Sequence, residues 1–144
     1  CGAEEVLQGG IYAFAKRHLR PLDRDRTFVI NLETVGSPEL ALLEGEGAFV
    51  IEDYFDRGLR DLCVQVAAEE RIPMRRGMRA TTSTDSVIPS RMGIPTACLI
   101  SLNRHKGISN YHSPADVPEN LSYGTVACAT DLAEAVIREL APPG

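Results

Sequence analysis

The sequence has no excess of positive charge, no long apolar run and no closely paired cysteines. Its 15 Lys and Arg against 20 Asp and Glu give a net charge of -5. That balance argues against a nucleic-acid partner, because phosphate binding requires a concentrated basic face. No run of about 20 apolar residues occurs, so no membrane span is expected. Cys1, Cys63, Cys98 and Cys128 form no CxxC pair. Three of them sit in apolar stretches and read as small core residues, which disfavours a thiolate zinc site. That pattern leans weakly toward a reducing, cytoplasmic compartment. No signal peptide, repeat, low-complexity segment or internal domain boundary is visible. The chain opens on Cys and not Met, inside what reads as a functional loop, so an upstream segment is expected. Compartment and oligomeric state stay open at this level.

What is present fits one soluble domain spanning residues 1–144, with 44% hydrophobic and 24% charged residues. Ile11, Tyr12, Phe14 and Leu19 predict a helix over 10–20, with a basic end that suits its C-terminus and Pro21 to stop it. Thr27–Leu32 reads as a buried strand, and Leu40–Leu43 as a further short strand or an edge. Phe55, Leu59, Leu62, Cys63, Val66 and Ala67 recur at helical spacing. The basic stretch Met74–Arg79 reads as a solvated loop, with the alternative of a grip on an anionic group. A polar stretch, 81–86, leads into a short helix over 87–92. Residues 93–100 give a turn and a buried strand, and 102–121 a long polar connection of functional length. Ser122 caps a last helix with the stripe Val126, Ala129, Leu132, Ala133, Val136, Ile137 and Leu140, and 141–144 is a tail. The order helix, strand, helix, strand, helix specifies an α/β layer domain.

The polar residues at loop and strand-end positions are Glu4, Glu5, Glu33, Asp85, Tyr111 and His112. Carboxylates with an imidazole suit zinc or another divalent ion. Neighbouring side chains diverge, so Glu4 and Glu5 can serve one centre in two ways, one as a ligand and one facing the attacking water. The competing reading makes them acidic residues opening a helix. Glu33 follows a buried strand, where open α/β sheets place their chemistry. Asp85 alternatively caps the following helix, and Tyr111 alternatively packs. His18 reads as a surface residue at a helix end.

Four stretches occur in order: GAEE at 2–5, INLETVG at 30–36, STDS followed by GIPT at 83–96, and YHSPADVPENL at 111–121. Together they resemble the zinc-dependent aminopeptidases of metallopeptidase family 28, whose fold also houses glutaminyl cyclases. The resemblance runs from Gly2 to about Leu140. It implies a three-layer αβα fold with a mostly parallel mixed sheet, of which this chain is the C-terminal portion. It implies Glu4 as general base, Glu5 and His112 as ligands of one metal, and Glu33 as ligand of a second. Tyr111 matches an oxyanion-stabilising tyrosine, and Asp85 an acidic residue behind the ligands or near the substrate. The implied cofactor is zinc, two ions per complete site, and the implied substrate is a peptide with a free N-terminus.

Two departures from the family pattern qualify those expectations. The family's usual residue at the Glu33 position is aspartate; glutamate, one methylene longer, still binds zinc at about 2.0–2.2 Å but shifts the strand or the metal. The family also places a histidine ligand and a bridging aspartate upstream of GAEE. The expectation is therefore that this chain alone is inactive or nearly so, and that its full-length parent is a peptidase. Two alternatives accompany it: a glutaminyl-cyclase-like acyltransferase using one zinc, and a non-catalytic binding domain of the same fold.

Overall fold

The computed structural model describes residues 1–47 and 53–141. At its centre lies a strand, β5 (Thr96–Leu102), in which every residue is buried. Its sequence TACLISL puts small or apolar side chains on both alternating faces, so both faces need cover. β1 (Val29–Leu32) runs parallel along one edge, from Val29 opposite Thr96 to Leu32 opposite Leu99. β2 (Glu39–Glu46) runs antiparallel along the other, from Glu39 opposite Leu102 to Leu42 opposite Leu99. β4 (Arg75–Ala80) lies parallel to β2 on its far edge. Past the end of β5, the two-residue β3 (Asp53–Tyr54) pairs with Gly45 and Glu46. The sheet is therefore mixed.

The two-residue period of the strands sorts the core into layers. Leu40, Leu42, Ala97 and Leu99 face α2 (Arg57–Glu69) and α4 (Tyr123–Leu140), which meet them with Leu59, Cys63, Val66, Ala129, Leu132 and Val136. Ala41, Leu43, Cys98, Ile100 and Leu102 form a second cluster with Phe55. A third cluster, Ala15, Leu19 and Ile94 with Val29, joins α1 (Gly9–Phe14, continued by a π-helical turn over Ala15–Leu19) to α3 (Val87–Arg91). Ile30 packs in the first cluster and its neighbour Val29 in the third. That alternation sets α1 and α3 on the face opposite α2 and α4. α2 starts where Asp56 accepts a hydrogen bond from the Leu59 N–H at 2.7 Å. Among the described residues no helix is long and apolar enough to cross a membrane.

Several details differ from the sequence reading. Leu40–Leu43 belongs to an eight-residue interior strand, not a short strand or an edge, because β2 continues through the Glu-Gly-Glu that charge alone would exclude. Met74–Arg79 is not a solvated loop: Arg75–Ala80 is a strand, with Arg75 paired to Glu39 and Arg79 over the Tyr54 ring. β1 is half-buried, since it has a sheet neighbour only in β5. Ile137 is exposed, as are Tyr12 and Phe14 on α1. Ser122 precedes α4, but its hydroxyl meets the Thr125 hydroxyl at 2.9 Å and caps no backbone N–H. Residues 142–144 of the expected tail lie outside the described residues.

Gly45 lies so close to β3 that an added methyl group would overlap the Asp53 carbonyl oxygen. Backbone cannot move aside as a side chain can. Gly45→Ala is therefore expected to destabilise the fold by about 1–3 kcal/mol, read from urea unfolding. A midpoint equal to that of the unsubstituted protein would contradict this packing.

Candidate functional site

Four segments carry the expected site residues. The N-terminal residues wind into turns: the Gln8 N–H bonds to the Glu4 carbonyl at 2.9 Å and the Gly9 N–H to the Ala3 carbonyl at 3.0 Å. Gly10 lets this turn fold back onto α1, since a methyl there would overlap the Gly2 carbonyl. Glu33 stands at the end of β1, where its own N–H bonds to the Leu99 carbonyl at 2.8 Å. Thr34 then takes φ 46°, which turns the chain away. Asp85 lies between β4 and α3. Tyr111 and His112 lie in the connection after β5, which Asn103 braces by accepting from the N–H groups of His105 and Gly107. His112 itself has φ 50°. Left-handed backbone at a non-glycine residue is strained and collects at functional sites.

The fold brings these segments together. His112 Nε2 stands 2.9 Å from Glu5 Oε1, although 107 residues separate them in sequence. The Tyr111 ring stacks on that imidazole, with centroids 3.8 Å apart and planes 17° from parallel. Glu4, Glu5, Glu33, Thr84 and Tyr111 line a cleft of about 500 Å³ whose floor includes Leu43 and Ile100. Asp85 is buried, and its Oδ1 has no hydrogen-bond partner among the described residues. Burial pushes the Glu33 carboxyl up, and the charges of Glu4 and Asp85 push it further. Glu4 is raised in the same way, by burial and then by Glu5 and Asp85. Burial also raises the Tyr111 phenol, with help from Glu5 and Glu4. A divalent cation among such groups supplies the opposite charge and favours their ionised forms.

The donor chemistry, carboxylate and imidazole, fits a divalent metal, and Glu5 and His112 already face each other. Glu33 approaches from the strand end without completing a cluster: no three of His, Cys, Asp and Glu converge on one point among the described residues. His18 is on the surface, its ring against Phe14, and His105 accepts from Arg104 Nε at 3.0 Å on an exposed turn. The Cys63 and Cys98 thiols are buried and pushed up to about 11 and about 12, far from the thiolate a metal requires.

One functional group escapes the sequence reading. Glu46, at the end of β2, is fully buried. Its carboxyl accepts from the Thr84 N–H at 3.1 Å and from the Thr84 hydroxyl at 3.2 Å. Asn31 Nδ2 donates to Ser86 Oγ at 2.9 Å in the same cluster. The available signal was Asn31 inside the apolar run Val29–Leu32, because an amide half-buried in a sheet needs polar partners nearby. Burial pushes Glu46 up to about 7 against the pull of Thr84's two donors, with Glu33 and Asp53 adding to the rise.

The profile of peptidase family M28 matches residues 1–137. The fold is similar to that of the Legionella pneumophila LapA aminopeptidase, with a TM-score of 0.69 and 17% identity over 94% of this chain and 36% of that one. A second LapA structure gives 0.70 and 18%, covering 98% of this chain and 39% of that one. A futalosine hydrolase mutant of Helicobacter pylori strain 26695 gives 0.60 and 10%, covering 90% and 74%. This chain thus spans well under half the length of the LapA chains. No curated protein sequence matches it significantly.

Glu46 gives stability a pH dependence of known sign. Its carboxyl holds a proton more tightly folded than unfolded, rising from 4.5 to about 7. Its full contribution is present below about pH 4.5 and is lost as the pH climbs to about 7, a change on the order of 3 kcal/mol. Glu46→Gln is expected to remove that part of the slope in urea unfolding between pH 5 and 8. Parallel profiles for the two proteins would contradict the burial of this carboxyl.

Proposed function

The chain belongs to peptidase family M28, and from that premise we propose that it carries the acid–base and part of the metal-binding machinery of a zinc-dependent aminopeptidase. The observation that carries the proposal is the Glu5–His112 contact beside Glu4, at the mouth of a cleft that Glu33 and Tyr111 also line. Members of the family are generally metal-dependent. Glu5 and His112 would hold one ion and Glu33 would contribute to a second, with two zinc ions in the complete site. When bound, such ions supply Lewis-acid polarisation of the scissile carbonyl and a water that ionises near neutral pH.

The chain's own residues account for the remaining steps. Glu4 lies in a turn that leaves its carboxyl on the cleft, where it takes a proton from the attacking water and delivers it to the departing amine. The Tyr111 hydroxyl donates to the oxyanion that develops on the former carbonyl oxygen. Its ring, stacked on His112, ties the position of that donor to the imidazole. The carboxylates on the cleft attract the free α-ammonium group of a peptide, while Leu43, Ile100 and Ile108 offer an apolar wall to its first side chain. With two donors facing each other, the 144-residue chain by itself would hold zinc weakly and turn over little.

The test uses the longest natural protein containing this chain, loaded with zinc and offered aminoacyl p-nitroanilides. Glu4→Gln is expected to lower kcat on the order of 10²–10⁴-fold with zinc content unchanged. Turnover equal to that of the unsubstituted protein would exclude Glu4 as the base. A peptide beginning with glutamine separates the cyclase chemistry, since an aminopeptidase releases glutamine and a cyclase releases ammonia.

A further inference from the structure

Glu46 touches no part of the cleft surface, yet three of the four segments of the site lead back to it. Ladder pairs hold its backbone on both edges, opposite Asp53 on β3 and Ala80 on β4. Both carboxyl oxygens are spent on one residue, Thr84, through its N–H and its hydroxyl. The Thr84 carbonyl accepts from Gln8 Nε2 at 2.7 Å, and Gln8 ends the turn that bears Glu4 and Glu5. The Thr84 hydroxyl also accepts from the Ser86 N–H at 3.1 Å and meets Ser86 Oγ at 3.0 Å. Asn31, two residues before Glu33, donates to Ser86 Oγ. Asp85 lies between these two anchored residues, so its place follows from theirs. A buried carboxyl group costs more than an apolar side chain at the same position. Core packing alone therefore does not explain a glutamate here.

We propose that Glu46 is the positioning residue of this site: held by strands on both sides, its carboxyl group fixes Thr84, and Thr84 sets the places of the Asp85 carboxylate and of the turn carrying Glu4 and Glu5. The role rests on the peptidase reading above, in which those groups surround the reacting atoms. Misplacing catalytic groups by about 1 Å can cost on the order of 10²-fold in rate.

The experiment compares Glu46→Leu and Glu46→Gln in the longest natural protein, zinc-loaded, at a temperature where both are folded. Leucine fills the space and removes the carboxyl that accepts from the Thr84 N–H and hydroxyl. Glutamine keeps a carbonyl for the Thr84 N–H and an amide that donates to its hydroxyl. The expected result is a kcat roughly ten-fold or more lower for Glu46→Leu, with KM changed less than about two-fold, and restoration by Glu46→Gln to within about three-fold. An unchanged kcat in Glu46→Leu overturns the proposal, and so does a loss that glutamine fails to restore. If Glu46→Leu does not fold, Glu46→Asp takes its place. The carboxyl is then withdrawn by one methylene, the same loss is expected, and an unchanged kcat overturns the proposal. If the unsubstituted protein cleaves no aminoacyl substrate, the peptidase reading fails by itself. The positioning role is then read from the side-chain carboxyl ¹³C resonance of Asp85. Movement in Glu46→Leu but not in Glu46→Gln supports the role, and no movement in either overturns it.

Discussion

The complete burial of β5 is the constraint on which the rest depends. A strand with apolar or small residues on both faces must be covered twice: α2 and α4 cover one face, and Phe55, Met78 and Ala80 pack with Cys98, Ile100 and Leu102 of the other. Because β1 runs parallel to β5, Glu33 and the connection bearing Tyr111 and His112 leave the same end of the sheet. The stretch 81–86 arrives from elsewhere, after β4, and is tied over the sheet by bonds to Glu46 on β2 and Asn31 on β1. The cleft lies where these routes meet, floored by the β2 and β5 side chains Leu43 and Ile100.

The electrostatics of that meeting point run in one direction. Glu4, Glu33 and Glu46 all hold their protons more tightly than a solvated glutamate does, with burial the largest cause each time. Of these, Glu4 and Glu33 share a partly dry cleft, where their carboxylates repel one another and cost stability in the folded chain. Packing does not explain such an arrangement; under the proposed function, positive charge would offset it, as a divalent ion or as the ammonium group of a peptide.

The sequence revealed what depends on local period and composition. The stripe of α2, the long α4, the buried β5 and the polar connection after it were legible because helical spacing, apolar runs and turn residues act over a few positions. The proposed site residues came chiefly from family resemblance, and the fold brings Glu5 and His112 together across 107 positions. Spacing alone had left Glu4 and Glu5 open between a helix opening and a reactive pair. Long-range competition decided what stayed hidden. Glu44-Gly45-Glu46 looks like a loop until pairing with β3 and β4 extends β2 through it. The arginines of β4 look like a solvated loop until Glu39 and Tyr54 receive two of them. Glu46 remained hidden because its partner, Thr84, lies 38 residues away and in no shared motif.

The central proposal is that Glu5 and His112 would hold a metal ion in this chain. The most direct measurement is a zinc titration of the ¹⁵N-labelled protein, following the side-chain nitrogens of its three histidines. The account predicts that the ring nitrogens of His112 shift on zinc addition while those of His18 and His105 stay in place, and that Glu5→Gln weakens the response. A shift at His18 or His105 with His112 unmoved would contradict it.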